Sequence, residues 1–150
     1  MNIINPATEE IITTIQEDNE VSLALKFEKL KNSAKQWSAV PVKKRAEILE
    51  KFVSLLKENI EELAAILTSE MGKPMQQSRN EINGAGAKAI WLAQHAPQYL
   101  SEEILSVSAQ MTEKIVQEPL GIICNISAWN YPYNVGVNIF VPALLAGNAV

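Results

Sequence analysis

The chain has 150 residues, of which 47% are hydrophobic and 20% are charged, and its formal net charge is −4. This composition predicts one domain-sized globular body, and the acidic balance argues against nucleic acid and anionic membranes as partners. The single cysteine, Cys124, excludes an internal disulfide framework and favours the reducing cytoplasm. We expect neither a signal peptide nor a membrane span, because the N-terminus is acidic and no apolar run approaches about 18 residues.

The first two thirds of the chain is predicted to be mainly helical. A turn at residues 5–8 precedes a β-prone run at residues 11–15, which we interpret as one edge strand. Four helices follow, each indicated by apolar residues at helical spacing. The expected inward-facing residues, helix by helix, are Leu23, Phe27, Leu30, Ala34 and Trp37; Leu49, Phe52, Val53 and Leu56; Ile60, Leu63, Ala64 and Leu67; and Ile82, Ala85, Ala89 and Leu92.

Capping and helix-breaking residues predict where these helices begin and end. Asn19 is a suitable N-cap, and Pro41 suits the first turn of the second helix. Asn59 predicts a break between the second and third helices, and Gly72 predicts a C-terminal cap. Pro97 predicts that the fourth helix ends just before it.

Two features of the fourth helix could carry chemistry, and we interpret both structurally. Gly84 and Gly86 have no preceding strand and no third glycine, so they indicate close packing rather than a phosphate-binding loop. His95 is the only histidine and has no ligand-type neighbours at metal-site spacing, so we expect it at the surface near the helix end.

The last thirty residues predict a βαβ unit. The apolar run at residues 121–126 has the length of a buried strand, and a polar-aromatic turn follows at residues 127–132. A helix comes next, and Gly147 precedes a further apolar segment. This order of elements is typical of a parallel sheet, in which ligands bind at the carboxyl ends of the strands. The helix residues expected on one face are Val137, Phe140, Val141 and Leu144.

The sequence resembles the aldehyde dehydrogenase superfamily. The shared motifs occur in the family's order: Asn-Pro-Ala-Thr-Glu-Glu from residue 5, Glu-Met-Gly-Lys-Pro from residue 70, Glu-Pro-Leu-Gly from residue 118, Trp-Asn-Tyr-Pro from residue 129 and Pro-Ala-Leu-Leu-Ala-Gly-Asn from residue 142. The resemblance covers nearly the whole chain but only the N-terminal third of a family member, and it includes the succinate-semialdehyde dehydrogenase branch.

The resemblance implies an α/β fold with three parts. Residues 1–105 would form the N-terminal part of the cofactor-binding domain, with an edge strand and four helices. Residues 106–118, whose partial alternation indicates a strand with one wet face, would form a β-arm for assembly into a homodimer or homotetramer. Residues 119–150 would begin a Rossmann-like parallel sheet that binds NAD or NADP, and the catalytic domain is expected to be absent.

The resemblance also implies oxidation of a small aldehyde, with succinate semialdehyde as a candidate, to its carboxylic acid through a cysteine thiohemiacetal and thioester. The family's nucleophile belongs to a downstream region, so we expect these 150 residues alone to be inactive. We reject Cys124 as the nucleophile because burial in the apolar strand would raise its thiol pKa and block access. The alternative is a non-catalytic fragment that acts as an interaction module through exposed apolar faces.

Asn130 is the one catalytic residue that the resemblance places in this chain. Its side-chain amide would donate to the aldehyde oxygen as that oxygen becomes negative, whereas composition alone favours an ordinary turn residue. Ala128 stands where the family usually has proline, and Tyr131 stands where it usually has phenylalanine. The residues that would contact the nicotinamide nucleotide are Ile126, Ser127, Ala128 and Trp129.

We predict no catalytic metal site. Glu70 is a candidate ligand of a structural cation of the kind found in some relatives. Because hard cations need several oxygen ligands, the alternative is that Glu70 is a solvated carboxylate.

Overall fold

The computed structural model describes residues 1–150 and is built from five helices and two small hairpins. The elements in chain order are β1 Asn2–Ile4, β2 Ile11–Thr14, α1 Glu20–Ser38, α2 Val42–Glu58, α3 Ile60–Met71, α4 Met75–Tyr99, β3 Glu103–Val107, β4 Thr112–Ile115 and α5 Pro132–Leu145. Each pair of strands forms a two-stranded antiparallel sheet. The α/β class expected from the sequence is confirmed.

The helix α4 lies at the centre and packs against α2, α3 and α5. Its inward face is a row of alanines that lets its neighbours approach closely, and Gly86 continues this contact. A Cβ added at Gly86 would lie 3.3 Å from Val53 Cγ1, which confirms close packing there, whereas Gly84 lies on the exposed face. The main core consists of Ala46, Leu49, Val53, Ala85, Ala89, Ala93, Ala96, Val137, Val141 and Leu145.

The cap of α1 is confirmed, but its inward face is not. Asn19 Oδ1 accepts from Ser22 N at 3.0 Å, and Ser22 Oγ accepts from Asn19 N at 2.9 Å. No residue of α1 is buried, and Phe27 and Leu23 are 51% and 55% exposed, so their prediction as core residues is wrong. Helical spacing shows which residues share a face, but it does not show whether another element covers that face.

The fourth helix extends further than predicted, and the first hairpin has a strand that was missed. Pro97 lies inside α4, which continues to Tyr99, so the predicted end before Pro97 is wrong. A proline this close to a helix end removes few intrahelical bonds, and Leu100 N still donates to Ala96 O at 2.9 Å. The predicted edge strand is half of a hairpin, because β2 pairs with β1.

The segment at residues 121–126 forms only the start of the predicted parallel sheet. Ile122 forms a parallel bridge with Ala149, and Ile123 N donates to Ala149 O at 2.8 Å. Beyond the bridge the chain is uncovered: Cys124 is exposed and Ile126 is 90% exposed. No residue from 121 to 126 is buried and only Ile122 forms a bridge, so the predicted buried strand is wrong. Parallel strands need neighbouring strands and covering helices that these residues do not have here.

The β3–β4 hairpin overlaps the region predicted as an arm, residues 106–118. It begins at Glu103, three residues before the predicted start, and every residue of both strands is exposed. No helix of the chain is both long enough and apolar enough to cross a membrane.

Candidate functional site

Asn130 occupies a turn between the parallel bridge and α5. Pro132 is the first residue of α5, where its missing N–H costs nothing. The Asn130 side chain is exposed, and the hydrogen bonds around the turn are made by Ser127, Tyr133 and Asn134 instead. The Asn130 amide is therefore available to an external group.

The four residues before Asn130 form an uncovered stretch. Ile126 and Trp129 are 90% and 77% exposed, although both are large and apolar. Ser127 Oγ donates to Asn125 Oδ1 at 2.9 Å, and this bond stiffens the stretch locally. Ala128 is also exposed. An exposed apolar run next to a parallel bridge is a surface that another part of a protein or a ligand can cover.

A buried carboxylate that the sequence analysis missed lies at the start of α5. Glu81, on α4, is 3% exposed, and its Oε1 accepts from Tyr133 N at 3.0 Å and from Asn134 N at 3.4 Å. The sequence did contain a signal, because Glu81 is four residues before Ala85 and therefore shares the inward face of α4. A carboxylate at such a position needs a partner inside the protein.

Lys73 completes this cluster. Its Nζ pairs with Glu81 Oε2 and lies 3.7 Å from the centroid of the Tyr131 ring, a cation–π contact. The left-handed conformation of Gly72, with φ of 69°, ends α3 and directs Lys73 toward α5. The Glu-Met-Gly-Lys-Pro motif was predicted to end the helix, and its Lys73 has this further role.

Arg45 holds the other end of α5. It is 8% exposed, its Nε donates to Leu145 O at 2.9 Å, and its Nη1 donates to the carbonyls of Ser38 and Val40. Burial lowers the pKa of the guanidinium. A cation at the C-terminus of a helix also interacts favourably with the helix dipole.

Asn148 connects the exit of α5 to the start of the bridge. Its Oδ1 accepts from Gly121 N at 2.9 Å, and its Nδ2 donates to Ala143 O at 3.2 Å. Both ends of α5 are therefore fixed to the helical body, and the turn that carries Asn130 is attached to a fixed element.

The remaining candidate residues play smaller parts in this geometry. Cys124 is exposed, so its rejection on the ground of burial was wrong. His95 is partly exposed and its ring stacks on Trp91 with centroids 4.2 Å apart. Glu70 is exposed, and no group of three or more His, Cys, Asp or Glu side chains is placed to hold a metal ion.

An exposed turn that follows a parallel bridge corresponds to the place where ligands bind in open α/β sheets, outside the carboxyl end of a strand. The family model for the aldehyde dehydrogenase family matches residues 1–150, and the chain belongs to that family. Its resemblance to the superfamily is thereby confirmed.

Several relatives and solved structures match nearly all of this chain and about a third of their own length. The chain is 30% identical over 149 residues to a probable NADP(+) succinate-semialdehyde dehydrogenase of Sinorhizobium fredii, covering 99% of this chain and 30% of that protein. It is 31% identical over 148 residues to the 3,6-anhydro-alpha-L-galactose dehydrogenase of a Vibrio species, covering 99% and 31%. A glyceraldehyde-3-phosphate dehydrogenase from Methanocaldococcus jannaschii, complexed with NADP, superposes with a TM-score of 0.92 at 27% identity, covering 99% and 32%. The chain spans about a third of the length of these relatives.

Proposed function

We propose that this chain is the N-terminal part of an NAD(P)-dependent aldehyde dehydrogenase that oxidises a small aldehyde to its carboxylic acid. The observation that carries the proposal is the exposed Asn130 carboxamide at the start of α5, in a chain of this family. Its amide hydrogens have no partner among the hydrogen bonds of the turn.

The proposed role of Asn130 is to stabilise negative charge. When a thiolate adds to an aldehyde, the carbonyl oxygen becomes an alkoxide, and a donor fixed in advance lowers the barrier to that step. A carboxamide donates without a charge that titrates near neutral pH. The anchored ends of α5 support this role, because a donor of this kind works only when it does not have to reorganise.

The reaction itself needs groups that we place outside residues 1–150. The family route passes through a cysteine thiohemiacetal and a thioester, and we propose that this cysteine and the base that activates water lie downstream. NAD or NADP, when bound, supplies the hydride acceptor. The contribution of this chain is to position the aldehyde oxygen through Asn130.

Ile126, Ser127, Ala128 and Trp129 are proposed to form one wall of the cofactor site. The exposed apolar side chains of Ile126 and Trp129 fit a flat ring system, and the exposed main chain between them fits backbone contacts. These residues include no glycine-rich phosphate turn, and the resemblance to the family implies that they contact the nicotinamide nucleotide.

The substrate is proposed to be a small aldehyde, with succinate semialdehyde as the first candidate. Several relatives carry that enzyme's name, but others are named for malonate semialdehyde, 3-sulfolactaldehyde and 3,6-anhydro-alpha-L-galactose. These names share an aldehyde carbonyl on a small polar molecule.

The domain division and assembly predicted from the sequence are also part of the proposal. Residues 1–105 and 119–150 would belong to the cofactor-binding domain, and residues 106–118, which overlap the β3–β4 hairpin, would be an arm for a cytoplasmic homodimer or homotetramer. The support is the exposure of both hairpin strands, including Ile104 at 63% and Val107 at 70%, since an isolated hairpin is marginally stable in water.

The test is an aldehyde-dependent assay of the whole protein that contains this chain. We expect NAD(P)H to form with succinate semialdehyde or another small aldehyde, and we expect the isolated 150 residues to form none. A folded whole protein that forms no NAD(P)H from any aldehyde would contradict the proposal. That result would favour the non-catalytic interaction module, which is supported by the exposed apolar residues of α1.

A further inference from the structure

We propose that Glu81 is a positioning residue for Asn130: it holds the start of α5 so that the carboxamide meets the aldehyde oxygen. The inference rests on the proposed function, because Glu81 acts on the reaction only through Asn130. Glu81 itself is buried on α4, at 3% exposed.

The start of α5 lacks a cap from its own sequence. Tyr131 occupies the cap position and forms no side-chain cap bond, and Pro132 has no N–H. The next two N–H groups, of Tyr133 and Asn134, both donate to Glu81 Oε1. A carboxylate 52 residues earlier in the chain therefore does the work that Ser, Thr, Asp or Asn does in an ordinary N-cap.

The second oxygen of Glu81 also acts, through Lys73, on Tyr131, the residue that follows Asn130. Lys73 pairs with Glu81 Oε2 and also lies over the Tyr131 ring. The side chains of Lys73 and Glu81 are 10% and 0% exposed, so water cannot replace either partner easily. The buried ion pair thus contacts the chain at Tyr131 and at Tyr133, one and three residues after Asn130.

Loss of Glu81 would remove both contacts together. Two helix-start N–H groups would lose their acceptor, and Lys73 would lose its counter-charge. The turn would then settle in another position, and a misplacement of about 1 Å near a reacting group is sufficient to cost roughly 10²-fold in rate.

A double-mutant cycle in the whole protein tests the inference. The variants are Glu81→Met, which keeps length but removes the acceptor, and Glu81→Gln, which keeps one acceptor oxygen, each alone and combined with Asn130→Ala. We expect Glu81→Met to lower kcat by about 10²-fold with the KM for NAD(P) unchanged, and Glu81→Gln to lower it less. In the Asn130→Ala background we expect Glu81→Met to cost nothing further, because residues that act as a unit are not additive.

The matched control is Glu61→Gln, which removes an exposed carboxylate on α3 that pairs with Arg79 on α4, the helix that carries Glu81. It should leave kcat unchanged. A readout independent of activity is amide hydrogen exchange in the folded protein. Exchange at Tyr133 and Asn134 should become faster in Glu81→Met and stay unchanged in Glu61→Gln.

The outcomes separate this inference from the proposed function. If Asn130→Ala is slow but Glu81→Met lowers kcat equally in both backgrounds, or not at all, the positioning role is overturned and the proposed function stands. If Asn130→Ala does not lower kcat, the proposed function fails and the inference fails with it. If Glu81→Met does not fold, the same cycle with Glu81→Gln decides between these outcomes.

Discussion

Arg45 is a buried side chain that binds backbone carbonyls from separate parts of the chain. Its guanidinium donates to Leu145 O at the end of α5 and to Ser38 O and Val40 O between α1 and α2. Ser38 and Leu145 are the last residues of α1 and α5, where the last turn of a helix leaves its carbonyl groups unbonded, and Val40 lies between α1 and α2. A planar five-donor group suits this arrangement better than lysine would.

We expect Arg45→Met to lower the free energy of unfolding by about 2–4 kcal/mol, because the three carbonyls lose a charged donor in a buried place. Chemical denaturation of the protein measures the change. Lys43→Ala removes an exposed cation on the same helix and should change stability by less than about 0.5 kcal/mol. Equal effects of the two substitutions would contradict the role given to Arg45.

The environment of Tyr133 predicts that the free energy of unfolding depends on pH in the alkaline range. Burial, followed by the charges of Glu70 and Glu81, raises the pKa of its phenol. The pKa of the phenol is therefore higher in the folded protein than in the unfolded chain, where it is about 10. The neutral phenol contributes fully to the free energy of unfolding below the unfolded pKa, and this contribution is lost as the pH rises through the folded pKa.

The difference in unfolding free energy between wild type and Tyr133→Phe should therefore fall when the pH rises above about 10. Denaturation curves at successive pH values measure this difference. The control is Tyr99→Phe, which removes a phenol that is 66% exposed. A Tyr133 difference that stays constant into the alkaline range would show that its environment does not favour the neutral form.

Among the elements, α4 connects the core to the candidate site. Its alanine face packs against α2 and α5, and the same face carries Glu81 at the position where α5 begins. The distance between α4 and α5 therefore sets where the Asn130 turn lies. A larger side chain at one of these alanines would shift the Asn130 turn as well as strain the core.

The β3–β4 hairpin is the element whose role most needs a partner surface. All of its residues are exposed, and Leu105 and Val107 are 58% and 70% exposed. Exposed apolar strands of this kind are stable only when another surface covers them.

We expect the double variant Leu105→Lys/Val107→Lys to shift the whole protein from an oligomer toward a monomer, because two cations would have to be buried in the interface. Light scattering coupled to gel filtration measures the mass. Ser106→Lys places the same charge between these two positions and should perturb assembly less. Wild-type protein that is already monomeric, or a double variant of unchanged mass, would remove the assembly role from the hairpin.

Across the chain, the sequence predicted where the helices lie better than it predicted which helix faces other elements cover. The stripes of α2, α3 and α5 are buried at Leu49, Val53, Ala64 and Val137 as predicted, because helical periodicity records the face that the core covers. The same periodicity gave a wrong prediction for Phe27 in α1, because helical spacing does not show whether another element packs against that face.

The candidate site was predicted only where motifs mark it. Asn130 was found from the Trp-Asn-Tyr-Pro motif, but the contacts of Glu81 and Lys73 that hold the turn were not. Those contacts join residues more than fifty positions apart in sequence, and no local pattern states which helix end a buried carboxylate will meet. Only the packing of α4 against α5 reveals it.

In the proposed function, the Asn130 carboxamide stabilises the oxygen that becomes negative. The most direct measurement is the kcat of Asn130→Ala in the whole protein, beside Asn83→Ala, which makes the same change on the exposed face of α4. We predict that Asn130→Ala lowers kcat by about 10²–10³-fold with little change in NAD(P) affinity, while Asn83→Ala leaves kcat unchanged. An Asn130→Ala enzyme that turns over aldehyde as fast as the wild type would contradict the account.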